Sequence, residues 1–168
     1  MTSVPEKILL IVFHSLTGGT RQMAEAAAQA AGAQENVRVV LLSAAQTSPE
    51  QVLQADGYIF ATPENLATMS GMMKDFFDRC YYEALDRVNG RPYAALICAG
   101  SDGTGAARQI ERIVTGWRLK KVAEPVILCT HAQTKAAILA PKHLAPAALE
   151  PCRETGAALA AGLSLGVF

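Results

Sequence analysis

Apolar residues come in two patterns along this chain: continuous runs of four to eight, and positions recurring at spacings of three and four. The first kind opens with Ile8-Leu9-Leu10-Ile11-Val12-Phe13 and returns at Val37–Leu42, Gly57–Thr62, Tyr93–Ala99 and Pro125–Cys129, with no polar alternation to mark a solvated face. Such runs predict strands buried on both sides. The second kind follows each of them. Arg21–Ala31 has strong helix-forming composition and is closed by Gly32, and Ser48-Pro49-Glu50 opens a short helical segment with Pro at the first helical position. A helix starting at Ser70 carries Met72, Met73, Phe76, Phe77 and Cys80 on one face; Ala106, Ile110, Ile113, Val114 and Trp117 mark another; Leu149, Cys152, Gly156, Leu159 and Leu163 mark the last. Thr130–Pro146 has no clear period and is left unassigned.

Strands alternating with helices predict an α/β fold of three layers, a five-stranded parallel sheet covered on both faces, because each crossover is long enough for a helix. Ligands of such sheets sit beyond the carboxyl ends of the strands. Three strand ends here run into loops rich in Gly, Ser, Thr and Asn: Ser15–Thr20, Pro63–Met69 and Gly100–Gly105.

The first loop, Ser15-Leu16-Thr17-Gly18-Gly19-Thr20, leads straight into a helix, whose first N–H groups have no intrahelical partner and favour an anion. It contains no Lys and no G-x-x-x-x-G-K-[ST], which argues against a triphosphate, and it lacks G-x-G-x-x-G. Three hydroxyls and two glycines suit one phosphate monoester held by neutral donors. An ordinary strand-to-helix turn capped by Thr20 is the alternative.

The loop's form, [ST]-x-T-G-x-T at the end of the first strand, resembles the phosphate loop of flavodoxins. The third-strand region, Thr62-Pro63 through Met69-Ser70-Gly71, Lys74, Phe76 and Asp78-Arg79, resembles a stretch of the flavodoxin-like NAD(P)H:quinone and FMN reductases related to the tryptophan-repressor-binding-protein group. The resemblance implies a flavodoxin-like FMN-binding fold with strand order 2-1-3-4-5, spanning residues 1–168 as one domain. It implies that Ser15, Leu16, Thr17, Gly18, Gly19 and Thr20 hold the FMN phosphate. Pro63, Glu64, Asn65, Leu66 and Ala67 would line the ribityl chain and ring edge, and Ala99, Gly100, Ser101, Asp102 and Gly103 the other side of the ring. It further implies an oxidoreductase fed by NAD(P)H and reducing a quinone or similar small acceptor, or else a flavodoxin-type carrier serving a redox partner protein. Related quinone reductases cover the flavin with neighbouring subunits, so a homo-oligomer is part of the same expectation.

Composition sharpens this picture at two points. Neither Glu64–Met69 nor Gly100–Gly105 contains an aromatic residue, so the usual sandwich around a flavin is absent and an open ring face is expected. Lys+Arg and Asp+Glu balance at 15 each, unlike strongly acidic carrier flavodoxins, and this neutrality also disfavours nucleic-acid or membrane partners. The first apolar run is too short for secretion, which points to the cytoplasm; the scattered Cys80, Cys98, Cys129 and Cys152 then read as reduced thiols. Glu64 and Asp102 read as solvated loop carboxylates rather than acid/base groups, with no catalytic side chain required. His14 and His131 read as strand-end histidines with backbone partners, Trp117 as packing, and Arg21 as a solvent-facing helix residue.

Overall fold

A computed structural model describes residues 5–168. The sheet is built from β1 (Lys7–Phe13), β2 (Val37–Ser43), β3 (Gly57–Asn65), β5 (Pro92–Ala99) and β7 (Val126–Cys129), paired in parallel in the order β2-β1-β3-β5-β7. This is the predicted order 2-1-3-4-5. Two short strands add to it: β4 (Thr68–Met69) runs antiparallel to β3, and β6 (Lys120–Lys121) pairs with the start of β5. The helices are α1 (Gly19–Ala31), α2 (Pro49–Gln54), α3 (Gly71–Ala84), α4 (Thr104–Gly116), α5 (Lys135–Leu139) and α6 (Glu150–Leu165).

Because successive strand residues point to opposite faces, each apolar run feeds two cores at once. Leu10, Val12, Tyr58, Phe60, Ala95 and Ile97 pack with α3 and α4, while Leu9, Ile11, Ile59, Ala61, Leu96 and Cys98 pack with α1 and α6. The α3/α4 side is aromatic. Phe60 sits at its centre, with ring centroids of Phe77, Phe76, Tyr93 and Trp117 at 5.1, 6.2, 6.2 and 6.5 Å. Trp117 is 1% exposed, which assigns it to the core. It caps the far end of α4, the whole helix away from the Gly100–Gly105 loop, and takes no part in the cavity.

The opposite face is lined by small residues, and its helices approach closely. Ala24, Ala27 and Ala31 of α1 meet Cys152, Gly156 and Ala160 of α6. At Gly156 a methyl group would overlap the Ala27 carbonyl oxygen, so glycine is what lets the two helices share this seam. The three cysteines Cys80, Cys98 and Cys152 are buried, and burial pushes the thiols of Cys80 and Cys152 up to about 11.

The third strand runs three residues past its predicted end. Pro63, Glu64 and Asn65 continue β3 and fold back onto Thr68–Met69 through a turn at Leu66 and Ala67. Pro63 is the last β3 residue in register with β5, opposite Cys98, so its missing donor falls at the end of that ladder, and Glu64 and Asn65 go on as a hairpin arm. The backbone is left-handed at both turn residues, φ 51° at Leu66 and 64° at Ala67. That is the geometry of a tight hairpin turn without the usual Asn-Gly, at roughly 1 kcal/mol or more per residue.

Replacing Gly156 by Ala forces α6 away from α1 and is expected to destabilise the protein by about 1–3 kcal/mol. Urea unfolding measures it; an unchanged midpoint would mean that the seam yields without cost.

Candidate functional site

At the carboxyl end of β1 the chain leaves the sheet and turns sharply. Gly18 takes φ 95°, a left-handed conformation suited to glycine, and its N–H donates to Ser15 Oγ at 3.1 Å. Helix α1 starts one residue later, so its first N–H groups face outward at the strand end, with the positive end of the helix dipole behind them. Gly19 is buried against Cys98 of β5: a Cβ there would lie 2.6 Å from Cys98 Sγ. Thr20, 2% exposed, sits at the head of the helix.

This loop, the arm of β3 and the end of β5 border one cavity of about 120 Å³. Of the residues singled out from the sequence, Ser15, Leu16, Thr17, Gly19, Thr20, Pro63, Glu64, Asn65, Ala99 and Gly100 line it. Gly18, Leu66, Ala67, Ser101, Asp102 and Gly103 lie outside its lining, though each belongs to a loop that does line it. The strands bring these loops together because β1, β3 and β5 are neighbours in the sheet while α1 and α4 cross on opposite faces. That divergence opens the crevice.

Six further lining residues, Cys98, Thr130, Ala132, Ile138, Leu139 and Lys142, were not anticipated. Five of them lie in Thr130–Pro146, which folds as an extended turn, the short helix α5 and a return strap beside the first loop. The strap is fastened by Gln22, whose amide donates to Lys142 O at 2.7 Å and to Gly18 O at 2.9 Å, and accepts from Leu144 N–H at 2.9 Å. Lys142 N–H also donates to Thr17 O at 2.7 Å. Cys98 beneath the loop has its thiol pushed up by burial, with the Lys142 charge opposing the shift.

Of the two carboxylates expected to be solvated, Glu64 is instead engaged. Glu64 reaches from the β3 arm to the head of α4, where Oε1 accepts from Gly103 N–H at 2.9 Å and Oε2 from Ala106 N–H at 3.0 Å. It is a helix cap supplied from another element, satisfying two donors that α4 leaves unpaired behind left-handed Gly103. Asp102 stays exposed and accepts from the Thr104 hydroxyl at 2.8 Å. Gly105 holds the arm close, because a methyl there would overlap the Ala67 carbonyl oxygen.

His14 departs from its expected role as well. Its backbone N–H donates to Ala61 O at 3.1 Å, but Nδ1 is buried without a hydrogen-bond partner among the described residues, and burial lowers the imidazole pKa from 6.5. It is not among the cavity-lining residues. Arg21 is a surface residue, 3.8 Å from Glu25 and 5.2 Å from the Phe13 ring centroid.

Because Glu64 closes two otherwise unpaired N–H groups and ties two loops of the cavity together, Glu64→Ala is expected to cost about 1–2 kcal/mol of stability. Glu64→Gln, which keeps one acceptor, should cost less. Denaturant midpoints of the two variants check the order.

Comparison with known proteins places this architecture. Residues 7–133 match the family model described as NADPH-dependent FMN reductase. A flavodoxin of Aquifex aeolicus is 32% identical over 97 residues, covering 58% of this chain and 52% of that protein. An NAD(P)H dehydrogenase (quinone) of Acidithiobacillus ferrooxidans is 32% identical over an alignment of 91 positions, covering 42% of this chain and 46% of that protein. The matches thus span about half the length of these curated relatives. Among solved structures, a flavodoxin from the domain Archaea superposes with a TM-score of 0.75 at 18% identity, covering 94% of this chain and 99% of that one. A flavodoxin-like WrbA-like protein of Agrobacterium tumefaciens gives 0.68 at 18% identity, covering 95% and 99%. With a flavodoxin-like fold and a family match running from the first strand to beyond the last, the chain belongs to the NADPH-dependent FMN reductase family.

Proposed function

We propose that this protein is an FMN-dependent oxidoreductase that takes electrons from NAD(P)H and delivers them to a quinone or similar small acceptor. The observation that carries this reading is the family match, together with a cavity at the strand ends whose lining includes no aromatic side chain.

The donor set fits one phosphate monoester. Hydroxyls of Ser15, Thr17 and Thr20, with the N–H groups at the head of α1, offer several neutral donors around the close backbone at Gly18 and Gly19. In this reading Leu16 completes the loop around the phosphate, while Pro63–Ala67 run along the ribityl chain and one ring edge and Ala99–Gly103 along the other. Bound FMN supplies the redox chemistry, accepting hydride and giving electrons on. The chain's own residues bind and orient.

No side-chain acid is assigned a step, and the geometry supports that choice. Glu64 is committed to capping α4 and Asp102 lies outside the cavity lining, so polar contact with a ring falls to backbone groups of the two loops. The absence of aromatic residues leaves room for nicotinamide and acceptor to stack in turn. Leu16 and Leu66, 78% and 98% exposed, provide apolar surface beside the cavity for such a planar partner.

A flavodoxin-type carrier is the second reading, favoured by the Aquifex aeolicus relative. The balance of 15 basic against 15 acidic residues weighs against it, since charge steers docking between electron-carrier proteins. Among the described residues no helix is long and apolar enough to cross a membrane.

Steady-state assay separates the two. Purified protein with FMN and a water-soluble quinone should oxidise NADH or NADPH with no other protein present. Oxidation that requires an added reductase would leave the carrier reading standing and remove the enzyme. Thr17→Ala removes a hydroxyl aimed at a charged group and is expected to weaken FMN binding by about 1.5–3 kcal/mol, read by flavin fluorescence quenching.

A further inference from the structure

The first loop has no basic residue between Ser15 and Thr20, so its own side chains cannot balance a phosphate dianion. One cation nevertheless lines the cavity, Lys142. It comes from the strap, beyond the region that matches the family.

Its placement is built. The Lys142 stem lies over the loop, with Cβ and Cγ 3.6 and 3.7 Å from where a Gly19 Cβ would stand. Its backbone is bonded on both sides, N–H to Thr17 O at 2.7 Å and O to the Gln22 amide at 2.7 Å. The ammonium group is held as well, donating to the carbonyls of Ala137, Ile138 and Ala140 at 2.9, 2.8 and 2.6 Å. These carbonyls close the end of α5 and keep the side chain folded back instead of extended into water. No carboxylate pairs with Nζ among the described residues, although ten other ion pairs form across the surface. A residue that lines the neutral cradle of hydroxyl and N–H donors therefore carries a restrained positive charge with no carboxylate partner among the described residues.

We propose that Lys142 is the counter-charge for the phosphate monoester of the flavin, carried to the loop by the Thr134–Leu144 strap, with Gln22 as the positioning residue that latches the strap in place. This rests on the FMN reading above. It makes the strap a fourth wall of the site and gives the protein a means of preferring the phosphorylated flavin over riboflavin.

Riboflavin, which lacks the phosphate, isolates the effect. Dissociation constants for FMN and riboflavin are measured by fluorescence quenching with wild type, Lys142→Met and Lys142→Arg, at low and high salt. Lys142→Met should weaken FMN about tenfold, leave riboflavin within about twofold and flatten the salt dependence of FMN binding. Lys142→Arg should retain most of the preference. If Lys142→Met loosens the strap generally, both flavins weaken together and their ratio stays at the wild-type value; that result, or no change in either, reduces Lys142 to a cap on α5 and overturns the proposal. Wild type that binds neither flavin would instead sink the FMN reading, and this inference with it.

Discussion

The unpaired N–H groups at the head of α1 are the constraint on which the site depends. They exist because the apolar run of β1 must stop at Phe13, and Gly18, in the left-handed conformation, turns the chain into a helix within a few residues. A helix head at a strand end needs an anion, water or a cap. Gly18 has no side chain to cap the helix, and Ser15 Oγ reaches back only to the Gly18 N–H. The head of α4, built in the same way behind left-handed Gly103, is closed by Glu64. The N–H of each left-handed glycine is taken by a side chain, Ser15 at Gly18 and Glu64 at Gly103, but at α4 the same carboxylate also reaches an N–H inside the helix, that of Ala106, and α1 has no such cap.

The rest of the architecture keeps that opening in place. Parallel pairing of β1 with β3 and of β3 with β5 sets three strand ends side by side. The aromatic cluster around Phe60 fixes α3 and α4 on one face, and the small-residue seam at Gly156 fixes α6 against α1 on the other. Apart from Cys98, neither core lines the cavity, yet both set how far apart its walls stand. The β3 arm is held by its long-range contacts, since its turn residues Leu66 and Ala67 are left-handed without glycine.

Features encoded locally were legible in the sequence. Continuous apolar runs bounded by Gly, Ser and Thr marked the five main strands, and the glycines of Ser15–Thr20 marked the tight turn from β1 into α1. What escaped was non-local or lacked a period. Glu64 caps a helix some forty residues away, and nothing in its neighbours announces this. The turn at Leu66-Ala67 hid the hairpin because it lacks the residues that normally adopt that backbone. Thr130–Pro146 is mostly exposed, its helix is five residues long, and the bonds that hold it join Gln22 to Lys142 and Leu144 across the chain. Its position beside the Ser15–Thr20 loop could be seen only in three dimensions.

In the proposed function the head of α1 receives a flavin phosphate. Phosphorus NMR of FMN titrated with the wild-type protein tests this directly. A single bound resonance displaced from that of free FMN, saturating at one equivalent, is the predicted result. A phosphate signal that stays at its free position while the flavin is bound would contradict it.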